Sequence, residues 1–187
     1  LSNNTPNFIG SWKTTNPQLS SDLISYFEDR SENRYKGSIG KGISLSDKDS
    51  WDMSITPKQI ENEKIFQVYF AHLKHCLDSY QTQWPFLYSL GRLEIGIFNI
   101  QKYDVGGHYK ALHAERTNGT NMQRVLAWMT YLNDVQIGGE TVFPYLNTAF
   151  RPEKGKTLIW PAEWTHAHYA ERTQEEKYII TGWLQFE

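Results

Sequence analysis

The chain has very little that would mark it as a secreted, membrane-bound or nucleic-acid-binding protein. Only one of its 187 residues is a cysteine, Cys76. An internal disulfide is therefore excluded, and a reducing, cytoplasmic compartment is expected. Cys76 itself reads as a small buried apolar residue rather than a nucleophile. No apolar run approaches the roughly 18 residues that a membrane-spanning helix needs. No signal peptide is visible, and the start at Leu1 rather than Met is expected to reflect a lost residue or leader. Nineteen basic and 21 acidic residues mix along the chain to a net charge of −2. Without a basic stripe, nucleic-acid binding has little electrostatic support.

What the chain does have is aromatic residues, 14% of the total, with seven Trp and eleven Tyr. That content argues for a packed interior rather than disorder. The length suits one domain covering 1–187, with helical support over 18–85 and a strand core over 92–187.

Residues 1–18 are polar and read as a surface lead-in held by Phe8, Ile9 and Trp12. Ser20 or Ser21 would cap a helix carrying Leu23, Ile24 and Phe27 on one side. Residues 31–54 lose all period and read as a long loop, a candidate substrate lid or a solvated connection. Thr56-Pro57 then starts a helix. Ile60, Phe66, Tyr69, Leu73, Cys76 or Leu77, and Tyr80 give it an apolar stripe that runs to Trp84-Pro85. His72 and His75 on this helix read as surface or satisfied histidines. After Gly91 the period becomes that of strands. Candidates are 95–102, 108–114, 123–133, 140–143, 156–160, 164–170 and 176–186, with 123–133 apolar on both faces and so central. Helices followed by short strands predict an α+β, mainly β domain with its helices on one face of a sheet sandwich or barrel.

The chemistry centres on Tyr103–Glu115, YDVGGHYKALHAE. On an extended strand His113 and Glu115, two apart, would face the same side and could share a metal ion. His166 or His168 would supply a third ligand, and two His with one carboxylate leave positions open for substrate and dioxygen. Lys177 opens an apolar strand, and a buried Lys needs a partner, which a dicarboxylate would provide. Trp128, Met129 and Trp160 read as core, Trp183 as core or site. His108 reads as pocket-lining or exposed, and Arg116 and Arg124 as exposed charges.

These pieces have a recognisable order. Tyr103-x-x-Gly106-x-x-Tyr109 precedes His113-x-Glu115. Tyr131-Leu132-Asn133 follows, then Gly138-Gly139-Glu140-Thr141-x-Phe143, the Gly155-Lys156 strand, the late histidines, Lys177 and Trp183. Residues 95–186 resemble the prolyl 4-hydroxylase-like branch of the 2-oxoglutarate- and Fe(II)-dependent dioxygenases, and most of all small bacterial and phage oxygenases.

The resemblance implies a double-stranded β-helix (jelly-roll) core with the N-terminal helices packed on one sheet. It implies His113, Glu115 and His166 as iron ligands. It also implies Lys177 as anchor of the distal carboxylate of 2-oxoglutarate, Tyr131 hydrogen-bonded to the same carboxylate, and Tyr103 close by. Fe(II), 2-oxoglutarate and O2 are the implied cofactor and cosubstrates, with ascorbate as reductant. The implied reaction is hydroxylation of an unactivated C–H bond in a small molecule or in a peptide or protein, a prolyl residue included. Three features depart from the family pattern. Glu115 stands where Asp is usual, one extra residue separates Tyr109 from His113, and His166 lies eleven residues before Lys177 where nine or ten is usual. His168 lies nine before, but the Trp160-Pro161 lead-in favours His166. The retained carboxylate argues against a halogenase. The alternatives are an inactive binding module on the same barrel and a cupin-like metalloenzyme that does not use 2-oxoglutarate.

Overall fold

The computed structural model describes residues 7–40 and 42–187. In chain order the elements are β1 (Gly10–Lys13), α1 (Pro17–Glu28), β2 (Tyr35–Lys36), β3 (Lys48–Asp49), β4 (Trp51–Ile55), α2 (Pro57–Asn62) and α3 (Lys64–Gln83). Then follow β5 (Leu93–Ile95), β6 (Phe98–Tyr103), β7 (His108–His113), β8 (Arg124–Tyr131), β9 (Thr141–Phe143), β10 (Thr148–Phe150), β11 (Lys156–Pro161), β12 (His168–Ala170) and β13 (Lys177–Phe186). The major sheet runs β1-β11-β8-β13-β6-β4-β2, with β5 also on β13, and the minor sheet runs β10-β9-β12-β7-β3. Two facing antiparallel sheets with helices on one outer side are the expected double-stranded β-helix.

Alternation along the central strands divides the interior in two. On β13, Tyr178, Ile180 and Leu184 face the helices, while Ile179 and, partly buried, Trp183 face the space between the sheets. On β8, Leu126 and Trp128 take the helix side, and Ala127, Met129 and Tyr131 take the inner side. Gly182 marks a close approach on the helix side, because a Cβ there would lie 2.6 Å from the Trp128 ring and 2.7 Å from Phe98. The α3 stripe buries Phe66, Tyr69, Leu73, Cys76 and Tyr80, and the Tyr69 hydroxyl meets Thr130 Oγ1 of β8 at 2.8 Å. His72 Nε2 meets Thr157 Oγ1 at 3.0 Å, so it is a satisfied histidine as expected.

Several boundaries differ from expectation. Asn16, not Ser20 or Ser21, caps α1, its side chain accepting from the Gln18 and Leu19 N–H groups. Ser20 is buried inside the helix. The single long helix is broken at Glu63, which is extended (φ −117°, ψ 113°) and accepts the Tyr26 hydroxyl at 2.8 Å. Residues 31–54 are not one loop. They carry β2, β3 and the start of β4, whose Met53 and Ile55 are buried against the helices. The apolar alternation in β4 is too short to stand out, and its inner residue is a charge. Asp52 pairs with Lys48 at 2.6 Å, both buried, and also accepts from Ser50 and Gln101.

Candidate metal centre

β7 and β12 are antiparallel neighbours in the minor sheet, with His113 opposite His168. Directly opposed residues project from the same face, which sets the two imidazoles side by side with ring centroids 4.4 Å apart. β7 ends at His113, and Glu115 lies in the bend just beyond. The strand-based expectation for the His-x-Glu pair therefore holds only for its first member. The bend still returns the carboxylate to the histidines. Glu115 Oε1 is 3.3 Å from His168 Nε2 and 3.9 Å from His113 Nε2. One donor atom from each of the three residues lies within 4.8 Å of the others.

Of the two late histidines, the structure places His168, not the expected His166, beside His113 and Glu115. His166 belongs to a short 3-10 turn, Trp164–His166, and its Nε2 meets the Asn7 carbonyl at 2.8 Å. The turn breaks the two-residue period, so the residue two before His168 does not share its face. His166 still serves the site through its backbone. Its carbonyl accepts from His168 Nδ1 at 3.0 Å, just as the Ala111 carbonyl accepts from His113 Nδ1 at 2.8 Å. These carbonyl contacts at Nδ1 turn each Nε2 toward Glu115 Oε1, and a metal held there would require both Nε2 atoms unprotonated.

The electrostatics agree with this. Burial, reinforced by His168, lowers the His113 pKa to about 4, so the ring is a neutral donor at pH 7. Burial acts to raise Glu115, but the hydrogen bond and charge of His168, then His113 and the Trp183 N–H, bring it down to about 2. Donors cis to one another on an ion about 2.1 Å away would be about 3 Å apart, so the three side chains would draw together to hold one. Two imidazoles and a carboxylate suit a divalent transition metal, and the residues present fit Fe(II).

A cavity of about 920 Å³ opens from the triad across the inner face of the major sheet. Lys177 lines it, 1% exposed. Among the described residues Lys177 makes no ion pair. Its Nζ donates to the Gly139 carbonyl at 3.0 Å and lies 4.4 Å over the Tyr103 ring. Burial lowers its pKa to about 7, with Glu140 acting weakly the other way. An unpaired buried amine aimed at a cavity suits an anion, as the distal carboxylate of 2-oxoglutarate would be.

Tyr103 lines the cavity, its hydroxyl donating to Gln101 Oε1 at 2.9 Å. Tyr131 is fully buried and does not line it. Its hydroxyl is 2.7 Å from Thr141 Oγ1 and 3.1 Å from the Phe150 carbonyl. Thr141, which does line the cavity, is the residue that sequence reasoning missed, and its place two after the Gly138-Gly139 turn was the available signal. Trp160 is buried as expected but also borders the cavity, and its Nε1 has no hydrogen-bond partner among the described residues. Arg124 is not a free surface charge, since its guanidinium lies 3.5 Å over the Trp183 ring.

Comparison with known proteins supports the same reading. Residues 98–185 match the family model described as the 2OG-Fe(II) oxygenase superfamily. A probable prolyl 4-hydroxylase 9 of Arabidopsis thaliana is 25% identical over 115 residues, 47% of this chain and 40% of that protein. This chain therefore spans well under half the length of that relative. Among solved structures, a Pseudomonas putida prolyl-4-hydroxylase superposes with a TM-score of 0.76 at 15% identity, covering 97% of this chain and 94% of that one. A Trichoplax adhaerens prolyl hydroxylase in complex with a hypoxia inducible factor peptide fragment gives a TM-score of 0.72 at 17% identity, covering 96% and 84%. The matched segment holds β7, β12 and β13, the strands that bring the His pair, Glu115 and Lys177 together. Residues 98–185 thus match the 2OG-Fe(II) oxygenase superfamily, and the curated relatives that this chain resembles are prolyl 4-hydroxylases.

Proposed function

We propose that the chain is a 2-oxoglutarate- and Fe(II)-dependent dioxygenase that hydroxylates an unactivated C–H bond of a prolyl residue in a peptide or protein. One observation carries this reading: a His-Glu-His triad and an unpaired buried lysine border the same cavity. When bound, Fe(II) with 2-oxoglutarate and O2 would supply the oxidising chemistry, releasing succinate and carbon dioxide.

The chain's own residues hold and orient. His113, Glu115 and His168 would hold the metal. Lys177 would take the distal carboxylate of 2-oxoglutarate in a charge-assisted contact worth about 1.5–3 kcal/mol, with the Thr141 hydroxyl and the Tyr103 ring as neighbouring walls. The outer cavity, lined by neutral groups such as Asn99, Asn118 and Asn121, would receive the substrate. Ascorbate would serve as reductant. The lone reduced Cys76 supports a cytoplasmic setting.

The test is succinate formation with Fe(II), 2-oxoglutarate and a panel of proline-containing peptides. Turnover is expected for the wild type and for His166→Ala, and is abolished in His168→Ala. Lys177→Met should raise the KM for 2-oxoglutarate at least about tenfold and leave metal affinity intact. Neither succinate nor uncoupled 2-oxoglutarate consumption from the wild type would refute the proposal.

A further inference from the structure

Glu115 has a longer side chain than Asp and sits in a bend, where no strand pairing fixes it. Such a carboxylate has three rotatable bonds, and ordering them costs free energy. It could also swing to present both oxygens to a metal. Two neighbouring strands constrain it. From β13, Trp183 Nε1 donates to Glu115 Oε2 at 2.7 Å. At the start of β8, Arg124 stacks on that indole at 3.5 Å and donates from Nη1 to the Glu115 backbone carbonyl at 3.0 Å. The same Nη1 is 3.7 Å from Oε2. One oxygen is thereby tied back, while Oε1 is the atom nearest both histidine Nε2 atoms.

We infer that Trp183 and Arg124 are positioning residues that clamp Glu115 so that it offers a single oxygen to the metal, and that this clamp is what adapts the site to a glutamate. The inference rests on the reading of His113, Glu115 and His168 as a metal site. Trp183 fixes Oε2 directly. Arg124 fixes the indole plane and the backbone that carries the glutamate. A carboxylate held by one oxygen leaves the remaining metal positions for the cosubstrates, whereas two-oxygen chelation would occupy one of them.

Co(II) is the probe, because its visible absorption reports coordination number and its affinity is measured without turnover. Trp183→Phe keeps the ring and removes the donor. It is expected to weaken Co(II) binding about 10–100-fold, the usual effect of losing a hydrogen bond to a ligand, and to alter the Co(II) spectrum. Arg124→Gln, at a more open position, should shift both in the same direction by a smaller factor. In a Glu115→Asp background the shortened carboxylate no longer reaches the indole, so adding Trp183→Phe should cost little more. Wild-type protein that fails to bind Co(II) would defeat the metal-site reading. Wild-type protein that binds, with both single variants within twofold of it and spectra unchanged, would defeat the clamp alone. A loss from Trp183→Phe that is equal in the wild-type and Glu115→Asp backgrounds would also defeat it.

Discussion

Lys177 shows how a single residue can be held at a cost for the sake of a ligand. Its amine is buried against a carbonyl and an aromatic face, with no carboxylate in contact among the described residues. The folded apo protein therefore holds its proton weakly, with a pKa of about 7 against 10.5 for an ordinary lysine. Between those values the unfolded chain binds more protons than the folded one, so stability rises with pH. The penalty is fully present below pH 7 and relaxes as pH climbs through 7 toward 10.5. Urea melts of apo protein from pH 6.5 to 9.5 should show wild type gaining on Lys177→Met as pH rises. Parallel curves would refute this. A dianion reverses the preference by restoring the charge, so 2-oxoglutarate binding above pH 7 should draw about one proton from solution. Calorimetry in buffers of different ionisation enthalpy reads that uptake.

At the scale of elements, the Lys48–Asp52 pair joins the edge strand of the minor sheet to the strand next to the edge of the major one. Lys48 is on β3 of the minor sheet and Asp52 on β4 of the major one, and both are buried. Gly37 backs the pair, since a Cβ there would fall 2.2 Å from Ser50 Oγ and 2.9 Å from Lys48 Cε. From Asp52 the network continues through Gln101 to the Tyr103 hydroxyl, and so to the ring beneath Lys177. On the other side Lys48 Nζ lies 5.2 Å from the Tyr109 ring, which stacks on His113 at 3.9 Å. Lys48→Met leaves Asp52 buried without a countercharge and should destabilise the protein by about 3–5 kcal/mol. Lys48→Met with Asp52→Leu together should cost less than the single change. Denaturant unfolding decides, and a double variant as unstable as the sum of the two singles would count against the account.

Taken whole, the molecule is two sheets around a cavity whose walls come from both. The triad sits on the minor sheet and the bend beyond β7, while Lys177 belongs to the major sheet. A ligand reaching from the metal to Lys177 would bridge the sheets, and anything that binds only the folded state stabilises it by mass action. At 100 times Kd the gain is about 2.7 kcal/mol, or a rise of about 5–10 °C in Tm for a chain of this size. Mn(II) with 2-oxoglutarate should give such a rise, and a chelator should abolish most of it. An equal rise from 2-oxoglutarate in the presence of chelator would mean that it binds elsewhere.

The features readable from the sequence were those set by local period and by residue chemistry. The α3 stripe, the doubly apolar β8, His113 with Glu115 and the apolar setting of Lys177 all follow from side chains a few positions apart. Gly138-Gly139 likewise announced the turn whose carbonyl now meets Lys177. What the sequence left open was decided by pairing between distant segments. For His166 and His168 the sequence signals conflict, since the Trp160-Pro161 lead-in favours His166 and the spacing to Lys177 favours His168. His168 lies opposite His113 in the β7–β12 register, while a 3-10 turn sets His166 against Asn7. Arg124 and Trp183 are 59 positions apart, and nothing in the sequence joins a charge read as exposed to a ring read as core or site until β8 and β13 pair and set both against Glu115. Composition and period determine which faces are buried, but register across strands determines which buried groups meet, and a catalytic centre depends on that meeting.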